Sequence, residues 1–277
     1  MISAFNEFLS RPNHMPNSIR RLFWRTWYEL FGFLFRNAGI DFMNYGYAEL
    51  DASAQPLRLD NADEKERYCL QLYDQVAGAA PLKDLEVLEV GCGRGGGASY
   101  MMRYLKPMSL TAIDFSRRNI NMCQRRYSLP GLTFQMGDAE ALQFKPESFD
   151  AVVNVESSHC YSNEERFFSE AFRVLRCGGH FLFADFRPAE QVALMEDRLR
   201  NVGFAFIEKK VINPNVAQAL ALDHERRLEV LSTYKEPIFQ RYFSDSSKTF
   251  SGNKDTPIYD DIKANRLTYF RYVLRKP

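Results

Sequence analysis

At 277 residues the chain is long enough for one α/β core with additions, and its formal net charge of +1 gives no global pull toward nucleic acid. Five cysteines, an odd number at irregular spacing, fit reduced thiols better than a disulfide framework, and no Cys/His cluster has zinc spacing, so no metal is expected. No apolar run approaches the ~20 residues that a membrane span needs, and Glu7, Arg11 and Asn13 interrupt any signal-peptide core, so the expectation is a cytoplasmic protein.

Residues 1–80 read as an N-terminal helical arm. Its signal is the stretch Ile19–Phe35, where Phe23, Trp24, Trp27, Tyr28, Phe31, Phe33 and Phe35 follow Arg20 and Arg21. Three readings stand side by side. The stretch is a helix packed on its own core or on a second copy of the chain, a lid that gives a bound molecule an aromatic wall, or a peripheral helix on a membrane surface. Trp24, Trp27 and Phe31 are the residues assigned to such a wall. Burying each large aromatic contributes about 2 kcal/mol, so the arm is not expected to sit free in water.

Residues 81–277 read as the core. Val87 to Val90 form a short buried strand that runs into a turn holding Gly91, Gly93, Gly95, Gly96 and Gly97, and a helix starts at Ala98-Ser99. Strand, glycine turn and helix bring bare backbone against a nucleotide-like ligand. The spacing admits two cofactors. Gly91, Gly93 and Gly96 satisfy the dinucleotide pattern G-x-G-x-x-G. Gly91, Gly93 and Gly95, preceded by Glu89, satisfy E-x-G-x-G-x-G, the form used for S-adenosylmethionine (SAM). An acid beside the turn suits the cationic amino and sulfonium groups of SAM and repels a pyrophosphate. Cys92 lies inside the same turn.

A second strand, Leu110–Asp114, ends in an acid placed to accept both ribose hydroxyl protons, with Phe115 next to it. A third, Leu132–Gly137, leads into Asp138-Ala139, where the acid serves as a helix N-cap or accepts from an adenine amino group. The fourth, Phe149–Val155, contains Asn154 and Val155, both assigned to the cofactor. An amphipathic helix, Asn163–Leu175, is read as capped at Cys177-Gly178-Gly179, before strand five, His180–Asp185. Strand six is Ala205–Ile212. Residues 213–264 read as an insertion, helical over Val216–Tyr234 and polar over Ser244–Asp255. Leu267–Arg275 is the final strand. The fold class is therefore α/β, a doubly wound, mostly parallel seven-stranded sheet of Rossmann-like type, with the arm and the insertion available to cover the carboxyl edge.

GDAEALQF, SFDAVVNVESSHCY and RVLRCGGHFLFADFR together resemble class I SAM-dependent methyltransferases. NVESSHCY is similar to the phthiotriol/phenolphthiodiolone dimycocerosate methyltransferases, bacterial enzymes that O-methylate lipid hydroxyls. FWRTWYELF, NYGYAELD and the tail through LTYFRYVLRKP resemble the same group, so the likeness covers most of the chain. That branch also looks similar to enzymes that methylate carbon in prenyl chains. The resemblance implies SAM as donor and S-adenosylhomocysteine (SAH) as product. It also implies a tyrosine folded over the methionine end of the cofactor, for which Tyr45 and Tyr47 are both candidates.

Methyl transfer asks the protein to align donor and acceptor, exclude water and remove a proton. His159, four residues beyond strand four, is the first candidate base by position and by its ordinary pKa near ~6.5. The resemblance implies that Asp185, ending strand five, works with it. Glu156 is a second candidate base. Cys160 reads as a packing residue. With aromatics at 14% of the chain, the expected acceptor is a hydrophobic small molecule of lipid, polyketide or terpenoid type, with O-methylation placed ahead of C-methylation of a prenyl alkene. A non-catalytic SAM-binding protein and an NAD oxidoreductase are the rival readings. NVES in place of an N/D-P-P-Y/F loop argues against a nucleic-acid substrate.

Overall fold

The computed structural model describes residues 41–232, 252–254 and 256–277. Seven strands form one sheet: β1 (Glu86–Val90), β2 (Ser109–Asp114), β3 (Leu132–Met136), β4 (Phe149–Val155), β5 (Leu175–Pro188), β6 (Ala205–Val211) and β7 (Leu267–Arg275). Their order is β3-β2-β1-β4-β5-β7-β6, parallel through β5, with β7 antiparallel to both of its neighbours. The order reverses between β1 and β4, so the loops leaving those two strands part and open a crevice at the carboxyl edge.

The apolar runs of β1 and β4 follow from burial on both faces of the sheet. Successive residues point to opposite sides. Val87 packs with Leu70, Tyr73 and Val76 of α1 (Arg67–Ala77), while Leu88 packs with Phe167 and Phe168 of α4 (Glu164–Val174). Between them in sequence lie α2 (Gly96–Tyr100) and α3 (Arg117–Arg126). The second face is completed by α5 (Val192–Val202), through Met195 and Leu199. The insertion supplies α6 (Asn213–Leu222), α7 (His224–Ser232) and α8 (Pro257–Lys263), with Val216, Leu220 and Ile262 on the first face.

Residues 41–80, the distal half of the expected arm, lie on that first face through Tyr45, Tyr47 and α1. Trp24, Trp27 and Phe31 lie outside the described residues. Among the described residues no helix is long and apolar enough to cross a membrane.

One boundary differs from the sequence reading. The helix ends at Val174, and Cys177-Gly178-Gly179 belong to β5 rather than to a cap. Leu175 already pairs with Phe149 of β4. Gly178, at φ +82°, turns the strand so that its N–H donates to the Lys276 carbonyl at 2.8 Å, a bond that holds the end of β7.

Asn213 ties the insertion to the sheet. Its Nδ2 donates to the carbonyls of Ile262 (2.8 Å) and Leu267 (2.7 Å), and its Oδ1 accepts from the Tyr269 amide at 2.6 Å. Asn213→Ala should leave those buried groups unpaired and lower stability by about 2–4 kcal/mol, read from urea unfolding.

Candidate active site

The glycine turn sits directly beyond β1. The amides of Gly91 and Cys92 both donate to the Ile113 carbonyl, at 2.8 and 2.9 Å, which clamps the turn onto the end of β2. Gly91 has φ +78°, and a Cβ there would lie 2.0 Å from Ser157 Oγ, so only glycine fits. Asp114 takes the Gly93 amide at 2.9 Å on Oδ2 and the Ser116 amide at 2.8 Å on Oδ1. It thereby holds the turn from the next strand. Asn154 is fully buried and donates to the Val90 carbonyl at 2.8 Å and to the Tyr161 hydroxyl at 3.1 Å, bridging β1 and β4 at the switch point.

A cleft of about 880 Å³, part of it open to solvent, runs along these strand ends. Of the residues assigned to cofactor from sequence, Gly91, Gly93, Asp114, Phe115, Asp138 and Ala139 line it, and so does Glu156. Cys92, Gly95, Asn154 and Val155 stand behind the wall: Gly95 is backed by Cys123 and Tyr127, and Cys92 and Val155 are buried in the core. Met43, Ser157, Tyr161 and Ser162 line the cleft without having been singled out. Glu140 explains how two of the loops stay together. Its Oε1 accepts from the Ser162 amide (2.7 Å), the Ser162 hydroxyl (2.6 Å) and the Asn163 amide (2.9 Å).

Tyr45 and Tyr47 part company. The Tyr45 amide donates to Glu156 Oε1 at 2.6 Å, and its ring stacks on Phe186 with centroids 5.6 Å apart. The Tyr47 amide donates to the Tyr68 carbonyl at 2.9 Å; both tyrosine side chains are buried in the core, and neither lines the cleft.

His159 and Asp185 are joined. The imidazole Nδ1 lies 2.7 Å from Asp185 Oδ1, and the His159 amide donates to Oδ2 at 3.0 Å. The ring rests against Phe186, with centroids 4.5 Å apart, and keeps 22% of the side chain exposed. Asp185 is fully buried and also accepts from the Ser158 hydroxyl (2.7 Å) and the Phe186 amide (2.9 Å). Arg187, absent from the sequence candidates, comes within 3.2 Å of Asp185 and donates to Ser158 Oγ at 2.7 Å. Burial would raise Asp185, but His159 and Arg187 hold its carboxyl well below the usual range. Burial disfavours a charged His159, yet the Cys160 sulfur and the Asp185 carboxylate outweigh it and hold the ring proton well above 6.5.

Two other carboxyls behave differently. Glu89 is buried at 1% exposure, its Oε1 accepting from the Tyr73 hydroxyl at 2.8 Å and its Oε2 meeting no hydrogen-bond partner. Burial pushes it up to about 7, the Tyr73 hydroxyl opposing and Asp114 adding to the rise. Burial pushes Glu156 up to about 7 as well, although the Tyr269 hydroxyl, the Tyr45 amide and His159 favour its ionised form. Glu156 also adopts φ +45°, a left-handed conformation that costs a non-glycine residue about 1–2 kcal/mol.

This donor set fits SAM. Glu89 has an unpaired buried carboxylate oxygen suited to an ammonium group, the glycine turn leaves room where side chains would intrude, and Asp114 lines the cleft with a carboxylate suited to hydroxyl donors. Among the described residues no group of three or more His, Cys, Asp or Glu side chains is arranged to hold a metal ion.

The family model described as "Methyltransferase domain" matches residues 88–183. Over 259 residues, 94% of each chain, the protein is 37% identical to the phthiotriol/phenolphthiotriol dimycocerosates methyltransferase of Mycobacterium leprae. The chain belongs to the SAM-dependent methyltransferases. It is also 36% identical over 236 residues to a fatty-acid O-methyltransferase of Mycolicibacterium smegmatis, covering 85% of this chain and 83% of that one. Among solved structures, the [4+2]-cyclase SpnF superposes with a TM-score of 0.70 at 22% identity, covering 91% of this chain and 94% of the other, a likeness of fold.

In this methyltransferase Asp114 holds the turn and faces the cleft at once. Asp114→Ala should weaken SAM binding by about 1–3 kcal/mol in isothermal titration, with NAD giving no comparable heat for either protein.

Proposed function

We infer that this enzyme transfers the methyl of SAM to a hydroxyl of a hydrophobic, lipid-type acceptor, with His159 as general base and Asp185 as the group that orients it. SAM supplies an electrophilic methyl when bound, held by the turn from Gly91 to Gly95, by Glu89 on its amino group and by Asp114 on its ribose. The observation that carries the base assignment is the 2.7 Å contact between Asp185 and Nδ1. It keeps the Nδ1 proton in place and leaves Nε2 as the basic nitrogen. A buried carboxylate beside it stabilises the imidazolium that forms when the acceptor gives up its proton. Tyr45, Phe186 and the half-buried His159 ring give that end of the site an apolar, aromatic character suited to a lipid chain.

The relatives named for phthiotriol lipids and for fatty acids support the acceptor class. A second reading is methylation of a prenyl-type alkene. It draws on the rings of Tyr45, Phe186 and Tyr269, gathered around the Glu156 carboxyl with neighbouring centroids 5.6 and 6.0 Å apart. Those π faces would stabilise a carbocation, and Glu156 would take its proton. Incubation with methyl-labelled SAM and a panel of hydroxylated long-chain lipids, fatty acids and prenyl diphosphates, followed by mass spectrometry, separates the two. Label in an acid-stable carbon–carbon bond of a prenyl product, with none in any ether or ester, would remove the O-methylation reading.

The base must be neutral to accept a proton, and Asp185 raises its pKa, so kcat should climb with pH through a value above 6.5. Asp185→Asn removes that anion. The rising limb should then move toward acid pH while the plateau falls. His159→Ala should lower kcat by about 10²–10⁴-fold with SAM affinity nearly unchanged. Near-normal turnover in steady-state assays would take His159 out of the reaction.

A further inference from the structure

Glu156 stands where separate parts of the chain meet over the cofactor cleft. It lines that cleft together with Gly91 and Asp114. It accepts from the Tyr45 amide at 2.6 Å and from the hydroxyl of Tyr269 on β7, and both bonds fall on Oε1. Among the described residues no hydrogen bond reaches Oε2. The charged and titratable groups around it are His159 on its own loop, Asp185 on β5, Tyr269 on β7, Tyr45 in the segment before α1 and Tyr73 on α1. Arg227 of α7 lies just beyond, on the carbonyls of Asn44 and Tyr45 at 3.0 and 3.1 Å. The carboxyl is thus fixed in place but not neutralised by a direct ion pair of the kind that Asp185 makes with Arg187.

We propose that Glu156 reads the charge of the bound cofactor: its carboxyl ionises opposite the sulfonium of the methyl donor and takes up a proton once the methyl has gone, so that spent cofactor loses its hold. The idea rests on the family's methyl donor and is independent of the acceptor. Transfer breaks the S–CH3 bond, whose electron pair returns to sulfur, and forms a bond from the methyl to the acceptor, which releases one proton. His159 takes that proton and returns it to solvent, and Glu156, no longer opposite a cation, takes one up, so the balance is a sulfonium and a carboxylate before the step, and a thioether and a carboxylic acid after it. The net charge of the site is unchanged, so no uncompensated charge is left beside a buried carboxyl. Oxygen and carbon acceptors give the same balance.

Burial leaves Glu156 pushed up to about 7, close enough to neutrality for a nearby cation to ionise it. A cation lowers a carboxyl pKa, so SAM should bind the ionised form. Its affinity then rises with pH up to about 7 and levels off above, while SAH, without the sulfonium, gains nothing from the ionised form. Glu89 has a similar pKa, but the amino group it would face is common to both ligands, so its proton cancels in their ratio.

Isothermal titration of the full-length enzyme with SAM and with SAH, from pH 6 to 8 and in two buffers of different ionisation enthalpy, tests this directly. SAM should release more protons than SAH below pH 7, and the SAM-to-SAH affinity ratio should rise about tenfold before levelling. Glu156→Gln should flatten the ratio, and His159→Gln should leave its rise in place. Equal proton release for the two ligands, a ratio independent of pH, or a rise that survives Glu156→Gln and vanishes in His159→Gln overturns the proposal while the cofactor assignment stands. Failure of both ligands to bind the wild type overturns the two together. If Glu156→Gln does not fold, the two-buffer measurement on the wild type decides alone.

Discussion

A buried carboxylate is tolerated only in proportion to the donors and cations that replace its water, and four carboxylates near the carboxyl edge of this sheet follow that rule. Asp185 is the saturated case, with bonds from His159, Ser158 and Phe186 and the Arg187 guanidinium beside it, and it stays ionised. Asp114 is held by backbone amides of the turn and of its own strand end. Glu89 has one tyrosine hydroxyl, and Glu156 has a hydroxyl and an amide, too little in either case to keep the carboxyl in its ordinary range. The undercompensated pair suits a ligand that carries two cationic groups, and of the two Glu156 lines the cleft. The crevice that Asp114 and Glu156 line exists because strand order reverses between β1 and β4, where Asn154 pins the two strands.

What was legible in the sequence was local. The turn from Gly91 to Gly95, the acids at the ends of β1 and β2 and the apolar runs of β1 and β4 carry their meaning in consecutive residues. The position of His159 follows from counting past the end of a strand. The environment of Glu156 was not legible, because its partners Tyr45 and Tyr269 lie 111 and 113 residues away in sequence. Nor could the sequence choose between Tyr45 and Tyr47. Gly46 at φ +85° turns the chain between them, and both are buried in the core, Tyr45 with its ring stacked on Phe186. Nothing local in the sequence marks Arg187, which is buried beside Asp185 and Ser158. The Gly178-Gly179 pair reads as a helix stop by composition. Here pairing with β4 and β7 outweighs that local preference.

The site divides into two parts with different freedom. The cofactor side is made of the loops that leave β1, β2, β3 and β4, and its geometry is set by steric limits such as the 2.0 Å approach at Gly91. The other side gathers around β5 and β7, where Phe186, His159 and Tyr269 meet the segment that carries Tyr45. A protein named as a [4+2]-cyclase shares the overall fold, so the sheet alone does not determine the reaction. Residues of the second side, which no cofactor motif constrains, are free to vary with the chemistry.

β7 has a consequence for how the enzyme comes into being. Among the described residues it is the last strand in chain order, yet it lies inside the sheet and joins β5 to β6. On a translating ribosome β1 to β5 can pair as they emerge, and the crevice between β1 and β4 can form with them. β6 has no neighbour until Leu267–Arg275 has been made, and Tyr269 reaches Glu156 only then. Between those moments a nascent chain exposes one open edge on β5 and another on β6, the surfaces on which strands from other chains add. The interval before β7 is synthesised is therefore when the chain is most open to pairing with strands of other chains, and slow translation after β6 would lengthen it.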